Sequence, residues 1–177
     1  MLIDLTTNKE VEFYFRKVDR AEIKKNTYLP DNGWDFNWLH PISHEFEVFG
    51  LVTQSNHDFV EGLIALKQNH DPDFMCIDID IVESSPINKK IIKGIPNLRR
   101  NYKGVGRCLI AFACQYSLDK GFDGFVGLTS KTSKFPFYES MGAIHTFGQQ
   151  YMFNDIASQK LVKTYFPGGV LWSPKQI

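Results

Sequence analysis

Gly104 and Gly106 stand one residue apart in the stretch Asn101-Tyr102-Lys103-Gly104-Val105-Gly106-Arg107, directly before the apolar run Cys108 to Leu118. Without side chains to shield them, the backbone N–H groups of such a stretch can converge on one point. A helix that begins there aims the positive end of its dipole at the same point. The chemistry on offer is anion binding, in a cradle suited to a phosphate or diphosphate. Arg99, Arg100, Lys103 and Arg107 bring cations to it. Two common phosphate loops do not fit. A nucleoside-triphosphate loop needs Gly-x-x-x-x-Gly-Lys-[Ser/Thr], and no such run exists. A dinucleotide fingerprint needs a glycine or alanine where Leu109 stands, and a strand that enters the turn directly.

The elements that position this stretch follow from periodicity. Glu10 to Lys17 alternates as a strand, with Val11, Phe13 and Phe15 on one side. Asp19 caps a short helix through Tyr28, with Ile23 inward. Pro30-Asp31-Asn32-Gly33 marks a turn. The aromatic segment Gly33 to Pro41, holding Trp34, Phe36 and Trp38, serves either as core or as a pocket wall. Glu45 to Gln54, Phe59 to Gln68 and Phe74 to Glu83 read as an antiparallel meander. In its third strand Ile77, Ile79 and Ile81 share one face, and Asp78 and Asp80 the other. Ser84-Ser85-Pro86 stops that strand, and the basic segment Ile87 to Arg100 reads as an irregular insertion. A buried helix then runs from about Gly104 to Lys120, with Gly121 as its cap. Phe122 to Thr129 is a buried strand, Pro136 to Met141 a short helix, and Ala143 to Phe147 and Gln150 to Phe153 short strands. Asp155 caps a last helix, Ile156 to Phe166, and the tail Val170 to Ile177 packs back through Trp172. A meander joined to a β-α-β crossover predicts an α+β fold in one domain over residues 1–177: a mixed, mostly antiparallel, twisted sheet with helices on both faces.

The glycine stretch resembles motif A of the GNAT superfamily of N-acetyltransferases, [Gln/Arg]-x-x-Gly-x-[Gly/Ala], with Asn101 where Gln or Arg is usual. Downstream, Phe137-Tyr138-Glu139-Ser140-Met141-Gly142-Ala143 resembles the same family's Phe-Tyr-Glu-x-x-Gly-Phe signature, at matching spacing. Lys131 and Lys134 stand where the family often has Asn and Ala. The Pro86 to Arg100 insertion and the run Leu109 to Cys114 further resemble a small bacterial branch of the superfamily.

The resemblance implies acetyl-CoA as co-substrate and transfer of its acetyl group to a primary amine, of a small molecule or peptide, by direct attack. It implies coenzyme A contacts from Ile81, Val82, Asn101, Tyr102, Lys103, Gly104, Val105, Gly106, Arg107 and Lys131. A lysine-like amine has a pKa of ~10.4 and must lose its proton before it attacks. Glu83, at the end of the strand before the loop, is the first candidate to take that proton, and Asp80 the second, directly or through water. Main-chain N–H groups near Val82 to Ser84 are placed for the oxyanion. Tyr138 stands at the family's general-acid position, and a phenol of pKa ~10 stays protonated and able to donate. The alternative is a non-catalytic acyl-CoA-binding or regulatory module of the same fold. A third reading is transfer of a longer acyl chain.

Composition narrows the partners. The chain has 177 residues, 43% hydrophobic and 23% charged, an ordinary globular balance. Its formal net charge is zero, which gives no support to general nucleic-acid binding or a polybasic membrane anchor. Cys76, Cys108 and Cys114 have no metal-type spacing and read as reduced thiols. No apolar run reaches the ~18 residues of a membrane span, and no signal pattern opens the chain. The expectation is a cytoplasmic monomer or homodimer without a metal.

Overall fold

The computed structural model describes residues 1–174, apart from the side chain of Thr132; Lys175 to Ile177 lie outside the described residues. In chain order the elements are β1 (Ile3–Asp4), β2 (Lys9–Glu10), β3 (Phe13–Val18), α1 (Arg20–Asn26), α2 (Leu39–Ser43), β4 (Glu47–Thr53), β5 (Gly62–Asn69) and β6 (Cys76–Ser84). Then follow β7 (Ile91–Ile92), β8 (Ile95–Pro96), β9 (Tyr102–Lys103), α3 (Val105–Asp119), β10 (Val126–Thr129), α4 (Phe135–Glu139), β11 (Ile144–Phe147), β12 (Gln150–Phe153) and α5 (Asp155–Tyr165). A seven-stranded mixed sheet has the order β11-β12-β10-β6-β5-β4-β3. Contacts group the chain into two units, the first made of residues 1–65, 81–109 and the tail from Leu171, the second of residues 66–80 and 110–170.

In the first unit β3 and β4 pair antiparallel from Phe13↔Thr53 to Val18↔Val48. Asp19 caps α1 as expected, its carboxylate accepting the Glu22 N–H at 2.7 Å. Ile23 then points into a core with Tyr28, Trp34, Trp38, Val48, Leu63 and Ile81. Trp34 and Trp38 are buried and meet edge to face, with ring centroids 6.0 Å apart. The aromatic segment is therefore core, and truncating Trp38 would cost roughly 3–5 kcal/mol. The other face of β5 meets α3: a Cβ on Gly62 would lie 2.5 Å from Val105 Cγ1 and 3.0 Å from Leu109 Cδ1. Glycine is required there because the first turn of α3 lies directly on the strand. In this unit helices thus cover both faces of the sheet, α1 on one and the start of α3 on the other.

Two features of this unit differ from the sequence expectation. The chain begins with a hairpin, β1 to β2, and β1 also pairs with β9, placing Ile3 opposite Lys103 and Asp4 opposite Tyr102. Two-residue strands carry no readable period, so sequence reasoning starts the first strand only at Glu10. The insertion is not irregular throughout: β7 and β8 form a hairpin with Ile92 opposite Ile95. Lys93 and Gly94 both have positive φ, 49° and 80°, as a type I′ hairpin turn needs. The tail packs back beside β3 as expected, Trp172 bridging Phe15 in parallel, its ring tilted at 59° to that of Phe49 with centroids 6.2 Å apart.

In the second unit β10 pairs parallel with β6 through Val126↔Ile77, Gly127↔Asp78 and Leu128↔Ile79, and antiparallel with β12. The strand expected from Phe122 starts only at Val126. Asp123 and Gly124 have φ of 53° and 88°, and the Phe125 N–H bonds the Phe122 carbonyl at 2.9 Å, so those residues turn instead. The cap of α5 is Asn154, not Asp155: its side chain accepts the Ala157 N–H at 3.0 Å. Asp155 is the first helical residue, where a carboxylate still suits the dipole. All three cysteines are buried free thiols. Among the described residues no helix is long and apolar enough to cross a membrane.

Candidate functional site

The glycine stretch enters α3 by a sharply defined path. Gly104 has φ of 102°, and a Cβ there would lie 2.4 Å from the Met1 carbonyl oxygen. Both facts exclude any other residue without rearrangement. The first in-helix bond of α3 runs from the Cys108 N–H to the Gly104 carbonyl at 3.0 Å. The N–H groups of Val105, Gly106 and Arg107 precede it, and these are the groups a helix start directs at an anion. Upstream the main chain is already committed: the Asn101 carbonyl accepts the Leu5 N–H at 2.8 Å, and the Tyr102 N–H goes to Asn88 Oδ1 at 2.9 Å. The Tyr102 N–H expected to face a ligand is therefore already taken by Asn88.

Ile81, Val82 and Glu83 end β6 in the same unit. The ladder with β10 stops at Ile79, so β6 runs on past it. Ile81 turns its side chain into the tryptophan core. Glu83 is 6% exposed. It accepts the Asp35 N–H at 2.5 Å and Trp38 Nε1–H at 3.1 Å, and ion-pairs with Lys89 at 2.8 Å. Lys89 Nζ also donates to the Gly33 carbonyl and to Asp35 Oδ1, each at 2.8 Å. Asp80, the second candidate carboxylate, is exposed and falls on the opposite face of β6 by strand alternation. Sequence reasoning singled out Glu83 but missed its donors Asp35 and Trp38, which lie 48 and 45 positions upstream with no local signal of the pairing.

Lys131 and Tyr138 belong to the second unit. Lys131 is exposed. Tyr138 lies on α4 and is 8% exposed, and burial pushes its phenol up to about 12. Its ring centroid is 5.1 Å from that of Phe137 and 6.4 Å from that of Tyr151. Gly142, with φ of 95°, ends this turn, and the Ala143 N–H returns to the Tyr138 carbonyl at 3.1 Å. The Phe137 to Gly142 signature is thus a self-contained helical turn that fixes its tyrosine.

The fold recurs in solved structures. An acetyltransferase from Bacillus subtilis, solved in complex with CoA, matches at a TM-score of 0.53 and 13% identity, over 77% of this chain and 79% of that one. AtaTR bound with acetyl-CoA matches at 0.56 and 15%, over 85% and 98%. The fold is that of the GNAT acetyltransferases. A CoA-dependent acyl-homoserine lactone synthase, BjaI, solved with SAM and isopentyl-CoA, shares this fold at 0.53 and 10%, over 94% of each chain. No family model matches the sequence, and no curated protein does. At such identities the GNAT likeness speaks for the architecture, and the chemistry must be argued from this chain's own residues.

Proposed function

We propose that the protein transfers an acetyl group from acetyl-CoA to a primary amine. One observation carries the reading: in a GNAT fold, the paired glycines open the helix α3 that follows β6 after the insertion, and the end of β6 runs past its parallel partner. Solved relatives in fold hold CoA or acetyl-CoA, which supports coenzyme A as the anion for which the Val105 to Arg107 N–H groups are shaped. Asn101 and Lys103 are assigned to its charged end, and the main chain of Ile81 and Val82, with Lys131, to its pantetheine arm.

In the proposed step the neutral amine nitrogen attacks the thioester carbonyl and the C–S bond breaks, the proton left on the nitrogen passing to water; the proton shed by the ammonium before attack leaves to a carboxylate, directly or through water. Glu83 is assigned that proton. Its ion pair with Lys89, at 2.8 Å, is with a primary ammonium, the group the acceptor would carry. Tyr138 is assigned to the departing sulfur. A phenol near 12 facing a thiolate whose conjugate acid has a pKa of ~8.5 does not surrender its proton completely. It stabilises the thiolate as a hydrogen-bond donor, and water supplies the final proton.

Glu83 already accepts from Asp35, Trp38 and Lys89. That observation favours, as the second reading, a module that binds acyl-CoA without transferring it. Thiol release from acetyl-CoA, followed over a panel of amines, separates the two. Amine-dependent release that falls at least tenfold in Glu83→Gln supports transfer. Binding of acetyl-CoA without release from any amine supports the module.

A further inference from the structure

We infer that Glu61 and Asn88 form a latch that sets the main chain of the glycine stretch, and that the charge on Glu61 tunes anion binding there. The inference rests on the acyl-CoA reading only for the identity of the anion. Glu61 sits immediately before β5 and is 4% exposed. Asn88 Nδ2 donates to Glu61 Oε2 at 2.6 Å, with longer contacts to Ser85 Oγ at 3.1 Å and the Glu61 carbonyl at 3.3 Å. The other end of the same amide, Oδ1, accepts the Tyr102 N–H at 2.9 Å. The turn beneath is fixed by the Asn88 N–H to the Ser85 carbonyl at 2.8 Å and the Ser85 N–H to the Glu61 carbonyl at 2.9 Å. One side chain thus joins the root of the insertion, the end of β6 and the start of the glycine stretch.

The orientation of the Asn88 amide is the point on which the latch turns. A carboxylate can only accept, so it demands the NH2 end of the amide, which turns the oxygen toward the Tyr102 N–H. A neutral carboxyl can donate as well. Its O–H can be met by the amide oxygen, and the NH2 end would then face the Tyr102 N–H, donor against donor. Tyr102 lies two residues before Gly104, whose carbonyl takes the first helix bond of α3. A change at Asn88 therefore reaches the anion-binding turn along a short path with little slack.

Glu61 is poised for this. Burial lifts its carboxyl to about 7, against the downward pull of the Asn88 bond. Charged groups on the neighbouring elements are engaged elsewhere. Glu47 on β4 pairs with Lys17, Glu83 on β6 pairs with Lys89, and Asp4 on β1 accepts the N–H groups of Thr6 and Thr7. Lys103 and Arg107, beyond Tyr102, are not among the groups that move Glu61.

Coenzyme A affinity measured from pH 5.5 to 8.5 in wild type, Glu61→Gln and Asn88→Leu tests the latch, together with the amide resonance of Tyr102 in the ligand-free protein. Glu61→Gln keeps an acceptor for Asn88 but cannot titrate. The ratio of wild-type to Glu61→Gln affinity should fall about five- to tenfold as pH drops through 7, the worth of one hydrogen bond. Asn88→Leu should bind weakly at every pH, raising KM with little change in kcat. The Tyr102 amide should titrate near pH 7 in wild type and not in Glu61→Gln. A Tyr102 amide that does not titrate, or an affinity ratio constant with pH, would overturn the latch. If the amide titrates but coenzyme A fails to bind any variant, the latch stands and the acyl-CoA reading falls.

Discussion

Tyr138 is asked to stabilise a thiolate rather than to protonate it outright, and that sets the size of its effect. A hydrogen bond to a charged group is worth about 1.5–3 kcal/mol, so Tyr138→Phe should lower kcat by about 10- to 100-fold and leave coenzyme A affinity unchanged. Steady-state kinetics alongside binding checks both halves, and an unchanged kcat would remove Tyr138 from the step. Glu61 makes a second prediction at this scale. Its folded pKa, about 7, lies above the ordinary 4.5 of the unfolded chain. The folded state therefore binds the proton more tightly, a contribution full below pH 4.5 and lost as pH rises through 7. Denaturant unfolding should find Glu61→Gln more stable than wild type at pH 8, by about 3 kcal/mol at most, with the gap closing toward pH 5. Equal stability at every pH would mean that burial does not perturb this carboxyl.

At the scale of elements, the two glycines with positive φ in and before the cradle region separate strain from packing. Gly94, at the tip of the β7–β8 turn, has φ of 80° and nothing within 4 Å of a would-be Cβ. Gly104 has φ of 102° and the Met1 carbonyl 2.4 Å away. Gly94→Ala should cost about 1 kcal/mol, from conformation alone. Gly104→Ala should cost at least twice that and weaken anion binding, because either β1 or the entry to α3 must shift. Equal costs for the two would mean that the N-terminal hairpin does not bear on the loop. This scale also shows what the sequence made legible. The meander, α3 and the Phe137 to Gly142 turn were readable because long apolar periods and glycine punctuation mark them locally. The β1–β2 hairpin, the β7–β8 hairpin and the partners of Glu83 were not. Two-residue strands have no period, and Asp35 and Trp38 meet Glu83 only after the chain has folded.

For the molecule as a whole, zero net charge and an ordinary composition hide an uneven layout. From Ser84 to Leu118 the chain has no acidic residue, while Lys89, Lys90, Lys93, Arg99, Arg100, Lys103 and Arg107 all fall within that span. Zero net charge gives no support to a polyanionic partner surface, yet the sequence concentrates its cations in the insertion and the glycine stretch. The fold explains why: the insertion and the glycine stretch are consecutive, closed at the neck by Asn88 and Tyr102. Sequence reasoning located the cradle from Gly104 and Gly106 but not the carboxyl beneath it, since Glu61 lies far upstream with no motif around it.

Titration calorimetry of coenzyme A into wild type and Gly106→Val, with NAD and ATP as comparison ligands, bears most directly on the central claim. The account predicts that wild type binds coenzyme A in preference to the other two. It further predicts that a valine in the first turn of α3 cuts that affinity at least tenfold while the protein stays folded. Undiminished affinity in Gly106→Val, or a wild type that ignores coenzyme A, would contradict it.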